Sequence, residues 1–533
     1  MFKLRRFTKN VTLPCGSYTD LILEVLTPKL RIYLASRSLV ITSLLFFSAA
    51  PCFAIETRPN IVLIVADDLG WADASYHQGK IPTPNIDNYS LGGLRLERFY
   101  ATRACTFTRV ALMTGQHAAA LGMHNTVISW YHRHGLPVAT EILPEVLSEA
   151  GYQTFAVGKW HLGNGKKEYW PTRRGFNRFY GHLNGRIDYF EHTIEGKHDW
   201  RIDEQPVWPI GYSTKLIAEK SQEWIKEYAK NAEPFFAYIA FNAPHSPFQA
   251  PKEYIDKTDP NLPKDKRIYN AMVMALDDGI GTIMSAIQDS GESHNTLVLF
   301  LSDNGGLEKY SEPTILRGEK GSFYDGGSRV LSFAVWDTKI EPAVSNVVVR
   351  AVDVPTILAR LAGTNFKNPR GVHGRPNPSL IGVGNFESEE IAEPLLIDMG
   401  EDSAAAILGN LKLVYQNGKS ELFNIEKDPS EITNIVKSFP KEKEQLLNFI
   451  STIPKSKPLV KRSYFMGKDV SPERFIWKVP DVIGEEHTLR WQLGFLLLIL
   501  LPSGYLVIFY LLGTIKAKGT ITKEKSPIFR RKK

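Results

Sequence analysis

Asn60-Ile61-Val62-Leu63-Ile64-Val65-Ala66-Asp67-Asp68 decides the fold of this chain. An unbroken apolar, largely β-branched run ends in two adjacent carboxylates. A strand wet on one face alternates apolar with polar residues, whereas an unbroken run suits a strand buried on both faces of a parallel sheet. Two neighbouring carboxylates repel each other, so placing both at the end of such a strand points to a cation held there.

Working outward, residues 154–157, 235–241 and 297–301 read as three further buried strands, the last running into Ser302-Asp303-Asn304-Gly305-Gly306. Residues 141–150, 214–230 and 268–289 carry helical patterns, the first stopped by Gly151. Strands alternating with helices predict an α/β fold with a mostly parallel sheet, whose ligands gather beyond the strand ends. Asp303-Asn304 repeats the polar strand end of Asp67-Asp68, and together the four supply hard oxygen donors suited to calcium or magnesium.

The texture changes after about residue 385. Residues 404–408, 411–415 and 421–424 read as short antiparallel strands with turns at Gly409-Asn410 and Asn417-Gly418, and residues 432–450 as a helix. The expected organisation is a leader with a signal peptide over 1–54, a catalytic domain over 55–385, a small antiparallel-sheet-and-helix domain over 386–453 and a connector over 454–490. An uncharged stretch over 491–515 is long enough to span a bilayer, and a basic tail fills 516–533. By the positive-inside rule the tail is cytoplasmic and the catalytic region lies outside, in a periplasm, at a cell surface or in a secretory lumen.

Charge follows the same division. The net charge is +7, but the leader carries seven Lys or Arg against Asp20 and Glu24, and the tail eight against Glu524. The middle is therefore mildly acidic, which argues against a nucleic-acid-binding surface. Of the three cysteines, Cys15 and Cys52 fall in the leader, so a processed chain keeps Cys105 alone and builds no disulfide scaffold.

Cys105-Thr106-Phe107-Thr108-Arg109, followed by Thr114-Gly115, resembles the signature of the sulfatase family. The blocks Gly158-Lys159-Trp160-His161-Leu162-Gly163, Ala243-Pro244-His245-Ser246-Pro247, Ser302-Asp303-Asn304-Gly305-Gly306, Leu316-Arg317-Gly318-Glu319-Lys320-Gly321 and Leu422-Phe423-Asn424-Ile425-Glu426-Lys427-Asp428-Pro429 look like sulfatase blocks in the family's order, nearest in character to the arylsulfatase B (N-acetylgalactosamine-4-sulfatase) branch, whose disulfides this chain lacks. The resemblance implies hydrolysis of sulfate esters, of sulfated carbohydrate or aryl sulfate. It implies a formylglycine made from Cys105 by a maturation enzyme, whose hydrate offers one hydroxyl to attack sulfur and another to expel sulfate. It further implies one calcium ion (Ca2+) held by Asp67, Asp68, Asp303 and Asn304 together with residue 105. Arg109 and Lys159 would steady the formylglycine and the sulfate charge, His161 would act as base on its hydroxyl, and His245 and Lys320 would face the leaving oxygen. Phe107 departs from the pattern, which has Pro or Ala there. His117, His124, His132 and His134 read as helix-surface or pocket-rim residues without an assigned role.

Two other functions share much of this pattern. A sulfatase-like protein without turnover would bind sulfated glycans with every residue except a working Cys105. A two-metal phosphatase or phosphodiesterase of the related alkaline phosphatase superfamily would use a Ser or Thr nucleophile, with imidazole where this chain has Asn304.

Overall fold

The structure, a computed structural model, describes residues 58–368, 371, 373–384 and 392–459. The expected leader, the membrane-spanning segment over 491–515, the basic tail and all but the first residues of the connector lie outside the described residues. Among the described residues no helix is long and apolar enough to cross a membrane.

Strand β1 (Asn60–Asp67) is buried at all eight positions. It lies between β3 (Phe235–Pro244) and β4 (Thr296–Ser302), parallel to both, with Ile61 opposite Phe236 on one side and Leu297 on the other. Strand β2 (Gln153–Lys159) pairs in parallel with β3, and Arg178–His182 continues in parallel beyond it. The four strands expected from sequence are thus the neighbouring centre of a ten-stranded sheet. The short flanking strands make the sheet mixed: Ser332–Val335 runs antiparallel to β4, and Arg201–Ile202 antiparallel to Arg178–His182.

Period-two geometry sends successive β1 side chains to opposite faces. Ile61, Leu63 and Val65 join one core, with helix α1 (Cys105–Thr114), and Val62, Ile64 and Ala66 join the other, beneath α2 (Ser213–Tyr228) and α3 (Lys264–Asp289). Each fully buried Ile, Val or Leu contributes about 1.5–3 kcal/mol, so a single polar substitution in β1 would cost at least that much in the one core its side chain faces.

The strands Leu395–Met399, Ser403–Leu408, Leu411–Gln416 and Lys419–Asn424 form a separate antiparallel sheet in sequential order. Its inner face meets the main body through Leu395, Ile397, Ala405, Ile407 and Phe423, packed with Tyr100, Phe323 and Val348. One sequence expectation needs correcting here: the last helix is Pro440–Thr452 and does not begin at 432. Pro440 has no N–H to donate and disfavours helical backbone before it, so it opens the helix at its first turn.

Candidate active site

Asp67 ends β1, and Asp68 has φ 66°. That left-handed turn is costly for most residues and tolerable for Asp. It brings two consecutive carboxylates into one cluster, where an extended strand would have sent them to opposite faces. Asp303 and Asn304 follow β4, the next strand over. Gly305 and Gly306 let this loop close: a Cβ on Gly305 would stand 1.8 Å from the Gly326 carbonyl, and one on Gly306 2.0 Å from Ser311 Oγ.

Around these acids the chain assembles three cations. Lys159, at the end of β2, places Nζ 2.6 Å from Asp67 Oδ2, both side chains fully buried. Arg109, one turn into α1, donates through Nη2 to Asp303 Oδ2 at 2.8 Å and through Nη1 to the Lys159 carbonyl at 2.9 Å. Lys320 Nζ lies 2.5 Å from Asp68 Oδ1. Its loop is fixed by backbone bonds from Lys320 N–H to the Gly306 carbonyl at 3.0 Å and from Gly321 N–H to the Arg103 carbonyl at 2.8 Å. Cys105, the first residue of α1, is buried.

The electrostatics follow from burial set against these pairs. Burial opposes ionisation of Asp68, but Lys320, His245 and the Asn304 amide outweigh it and hold its carboxyl well below the usual range. For Asp67 burial wins over Lys159 and the value rises. Asp303 is pushed up to about 6 by burial and the charge of Asp67, against the pull of Arg109. Burial also raises the Cys105 thiol.

His161 Nε2 lies 2.8 Å from the Ile128 carbonyl, which can only accept, so Nε2 carries the proton. Its Nδ1 is buried without a hydrogen-bond partner, and burial together with Lys159 keeps the ring neutral. His245 Nδ1 donates to the Ser246 carbonyl at 2.6 Å. Its Nε2 stands 3.7 Å from Asp68 Oδ2, too far for a hydrogen bond, and burial and Lys320 push it down to about 3.

The donor set fits a hard cation. Ligand atoms of Asp67, Asp68 and Asp303 lie within 4.8 Å of one another. Asp67 spends Oδ2 on Lys159 and Asn304 spends its amide N–H on Asp68 at 2.7 Å, while Asp67 Oδ1 and Asn304 Oδ1 are buried with no hydrogen-bond partner. Buried lone pairs of this kind are costly unless something positive meets them. Asp67, Cys105 and His245 also approach within 4.8 Å, which places the thiol and the imidazole on the same cluster.

All ten residues expected from sequence therefore belong to one neighbourhood, with His161 on its flank. Pattern reading missed the supports. Tyr238, inside β3, sets its hydroxyl 3.3 Å from Arg109 Nη1. Thr108 Oγ1 donates to the Asp303 carbonyl at 2.6 Å, a bond any hydroxyl at that position could make. Tyr269 on α3 bonds Asp73 and lies 3.3 Å from the Asp68 carbonyl, bracing the loop after β1. Nothing in the local sequence marks Asp73 or Tyr269. His117 and His124 are buried and not on a helix surface; His117 stacks on His373 with ring centres 5.3 Å apart.

The sulfatase family model matches residues 59–364. Human arylsulfatase A is 32% identical over 374 residues, spanning 65% of this chain and 72% of that protein. Mouse arylsulfatase J is 34% identical over 292 residues, spanning 52% of this chain and 48% of that protein. Among solved structures, Ps i-CgsB in complex with k-i-k-neocarrahexaose superposes with a TM-score of 0.72 at 28% identity, covering 81% of this chain and 99% of that one. With its acid and base clusters assembled as described and most of its length matched, the chain belongs to the sulfatase family of sulfuric ester hydrolases.

Proposed function

We propose that this chain hydrolyses sulfate esters of carbohydrates through a formylglycine made from Cys105, with one calcium ion held by Asp67, Asp68, Asp303 and Asn304. The observation that carries the reading is the convergence of three buried acids and three cations on the helix start that bears Cys105. Asp67, Asp68 and Asp303 balance Arg109, Lys159 and Lys320 in formal charge. A divalent cation added to that set leaves a surplus of two, which matches the dianion that sulfate becomes on release. The ion would supply Lewis-acid stabilisation of the sulfuryl oxygens. Formylglycine would supply, as its hydrate, a hydroxyl to attack sulfur and another to expel sulfate.

The chain's own groups do the rest. Lys159 and Lys320 neutralise the sulfuryl charge, and Arg109 locks Asp303 in place. His161, neutral with Nδ1 as its lone pair, can accept a proton from the hydrated side chain. His245 is also neutral beside Lys320, and the negative charge of a bound ester raises its basicity. It can then carry on Nε2 the proton that the leaving oxygen takes. Burial raises the Cys105 thiol, so the unmodified side chain is a poor nucleophile in the folded chain.

Sulfated carbohydrate is favoured as substrate by the neighbour that holds k-i-k-neocarrahexaose. The arylsulfatase B likeness of the sequence blocks adds sulfated hexosamine to the esters worth assaying. A leader and a C-terminal membrane anchor, placing the active site outside the cytoplasm, complete the proposal. The test is mass spectrometry of the Cys105 peptide alongside turnover of an aryl sulfate. An aldehyde at 105 that tracks activity supports the mechanism. A thiol with full activity refutes it, and a thiol with none favours a glycan-binding protein.

A further inference from the structure

Beyond the cluster, a cavity of about 320 Å³ opens on the far side of the loop that seats His161. It shares a wall with the catalytic neighbourhood. His161 N–H donates to the Leu183 carbonyl at 3.0 Å and His161 Nε2 to the Ile128 carbonyl, two residues before Trp130. Asn164, also in the lining, donates to the Trp130 carbonyl at 2.7 Å.

The lining combines aromatic faces with surplus positive charge. Arg201 lies over the Trp170 ring at 4.2 Å and Lys197 over Trp130 at 4.8 Å. Arg133 and Lys197 are exposed and have no acidic partner among the described residues. Arg201 has Asp199 at 4.0 Å and feels Glu204 as well, but Asp199 already accepts from the Leu183 and Asn184 amides and Glu204 is paired with Lys167 and Arg173. Three polar atoms of the lining residues are buried without partners: Asn164 Oδ1, Arg201 Nε and Asn184 Oδ1, the last on a residue only 8% exposed. Outside the mouth, Trp208 is 71% exposed and stacks on the lining residue His198 at 4.7 Å.

We infer that this cavity is a subsite for a second sulfated sugar unit of a polysulfated glycan chain. The inference rests on the sulfatase reading and deepens it from ester to polymer. Flat aromatic faces accept the apolar faces of pyranose rings, as they accept any ligand with a π-compatible surface. Unpaired Asn184 Oδ1 and Arg201 Nε offer one acceptor and one donor to ring hydroxyls or a sulfate oxygen. Arg133, Lys197 and Arg201 supply charge for an anion, and Arg201 supplies a planar fork suited to an oxyanion.

The experiment measures binding and not turnover, so that it stands apart from the fate of the mechanism. The full chain carrying Cys105→Ala is titrated by calorimetry with a tetrasaccharide bearing one sulfate and with the same tetrasaccharide bearing two. Binding tightens at least 10-fold with the second sulfate, and the gain falls below 3-fold when Arg133→Ala and Lys197→Ala are added. Both replaced side chains are exposed, so the fold is not at stake. Trp130→Ala weakens both sugars alike, because stacking does not depend on sulfate. A second-sulfate gain that survives the double substitution, or the absence of any gain, overturns the subsite. Failure of the sulfatase reading is read separately, from absent turnover of both sugars by the unsubstituted chain.

Discussion

Phe107→Pro sets two effects of one substitution against each other. In the folded chain Phe107 is 4% exposed and sits in the core with Val110 and Ala111. Its ring also carries the Arg103 guanidinium at 4.9 Å. Removing a buried Phe side chain costs about 3–5 kcal/mol. The backbone loses little: Phe107 N–H donates to the Ala104 carbonyl at 3.0 Å, but Thr108 N–H donates to the same oxygen at 3.2 Å, and Pro is tolerated in a helix's first turn. Arg103 keeps the Phe323 ring at 4.4 Å and Asp398 at 2.6 Å. A net loss of about 3 kcal/mol is expected, lowering Tm by roughly 3–4 °C for a folded body of about 400 residues. Maturation reads another state. On the proposed formylglycine reading, Cys105, buried at a helix start, is modified before folding, where Pro restores the usual pattern. The variant should therefore carry a larger aldehyde fraction, melt earlier, and show unchanged turnover per mole of aldehyde. Hydrazide capture of the Cys105 peptide, calorimetric Tm and an aryl sulfate assay on the same preparation give all three. An unchanged aldehyde fraction in the native host would refute the maturation argument. An unchanged Tm would refute the packing argument.

Asp68→Ala should bring bound calcium from near one per chain to near zero, measured by elemental analysis of folded protein, with turnover falling at least roughly 100-fold; stoichiometric zinc in the active unsubstituted chain would count against the oxygen-donor site. Asp353 is buried between Arg350 and Arg375, which overcome burial and hold its carboxyl well below the usual range. A depressed carboxylate stabilises fully above its unfolded value near 3.8 and loses that contribution progressively as pH falls from there through its lower folded value. Asp353→Asn should then cost about 3–5 kcal/mol at pH 7 by denaturant titration, and less as pH drops below about 4, because the parent itself weakens there; a difference that grows in acid would reverse the sign. Protease added to intact cells or spheroplasts should digest the catalytic region and spare the 516–533 tail, and a protected catalytic region would exclude the proposed topology.

Long buried runs made the centre of the fold legible. β1, β3 and β4 announce themselves because a strand buried on both faces has nowhere to put a polar side chain. Arg201–Ile202 and Gln205–Pro206 are two residues each, too short for any period to show. The helix start at Pro440 was readable from proline chemistry, but the apolar spacing of the preceding segment masked it. Among site residues, those whose chemistry is written in adjacent pairs or blocks were found, since Asp67-Asp68 and Asp303-Asn304 stand out beside apolar strands. Tyr238 and Tyr269 were not, because each is an ordinary aromatic in its own element. Their roles arise only when β3 passes beneath Arg109 and α3 beneath Asp68.

The order of the central strands also sets a clock. β1 is made early, yet both its partners arrive late, β3 at 235–244 and β4 at 296–302. Arg109, four residues past Cys105, finds its carboxylate only when Asp303 exists. At about 5–20 residues per second, the roughly 200 residues between Cys105 and that partner take about 10–40 s to synthesise. The loop carrying Lys320 waits longer still. Asp325, at its end, is bonded by buried Lys412 at 2.6 Å and by its own N–H to Glu431 at 2.6 Å, both in the last quarter of the chain. With the first strand at the centre of the sheet, the folded-state contacts that fix Arg109 and the Lys320 loop cannot form until Asp303, and then Lys412 and Glu431, have been made.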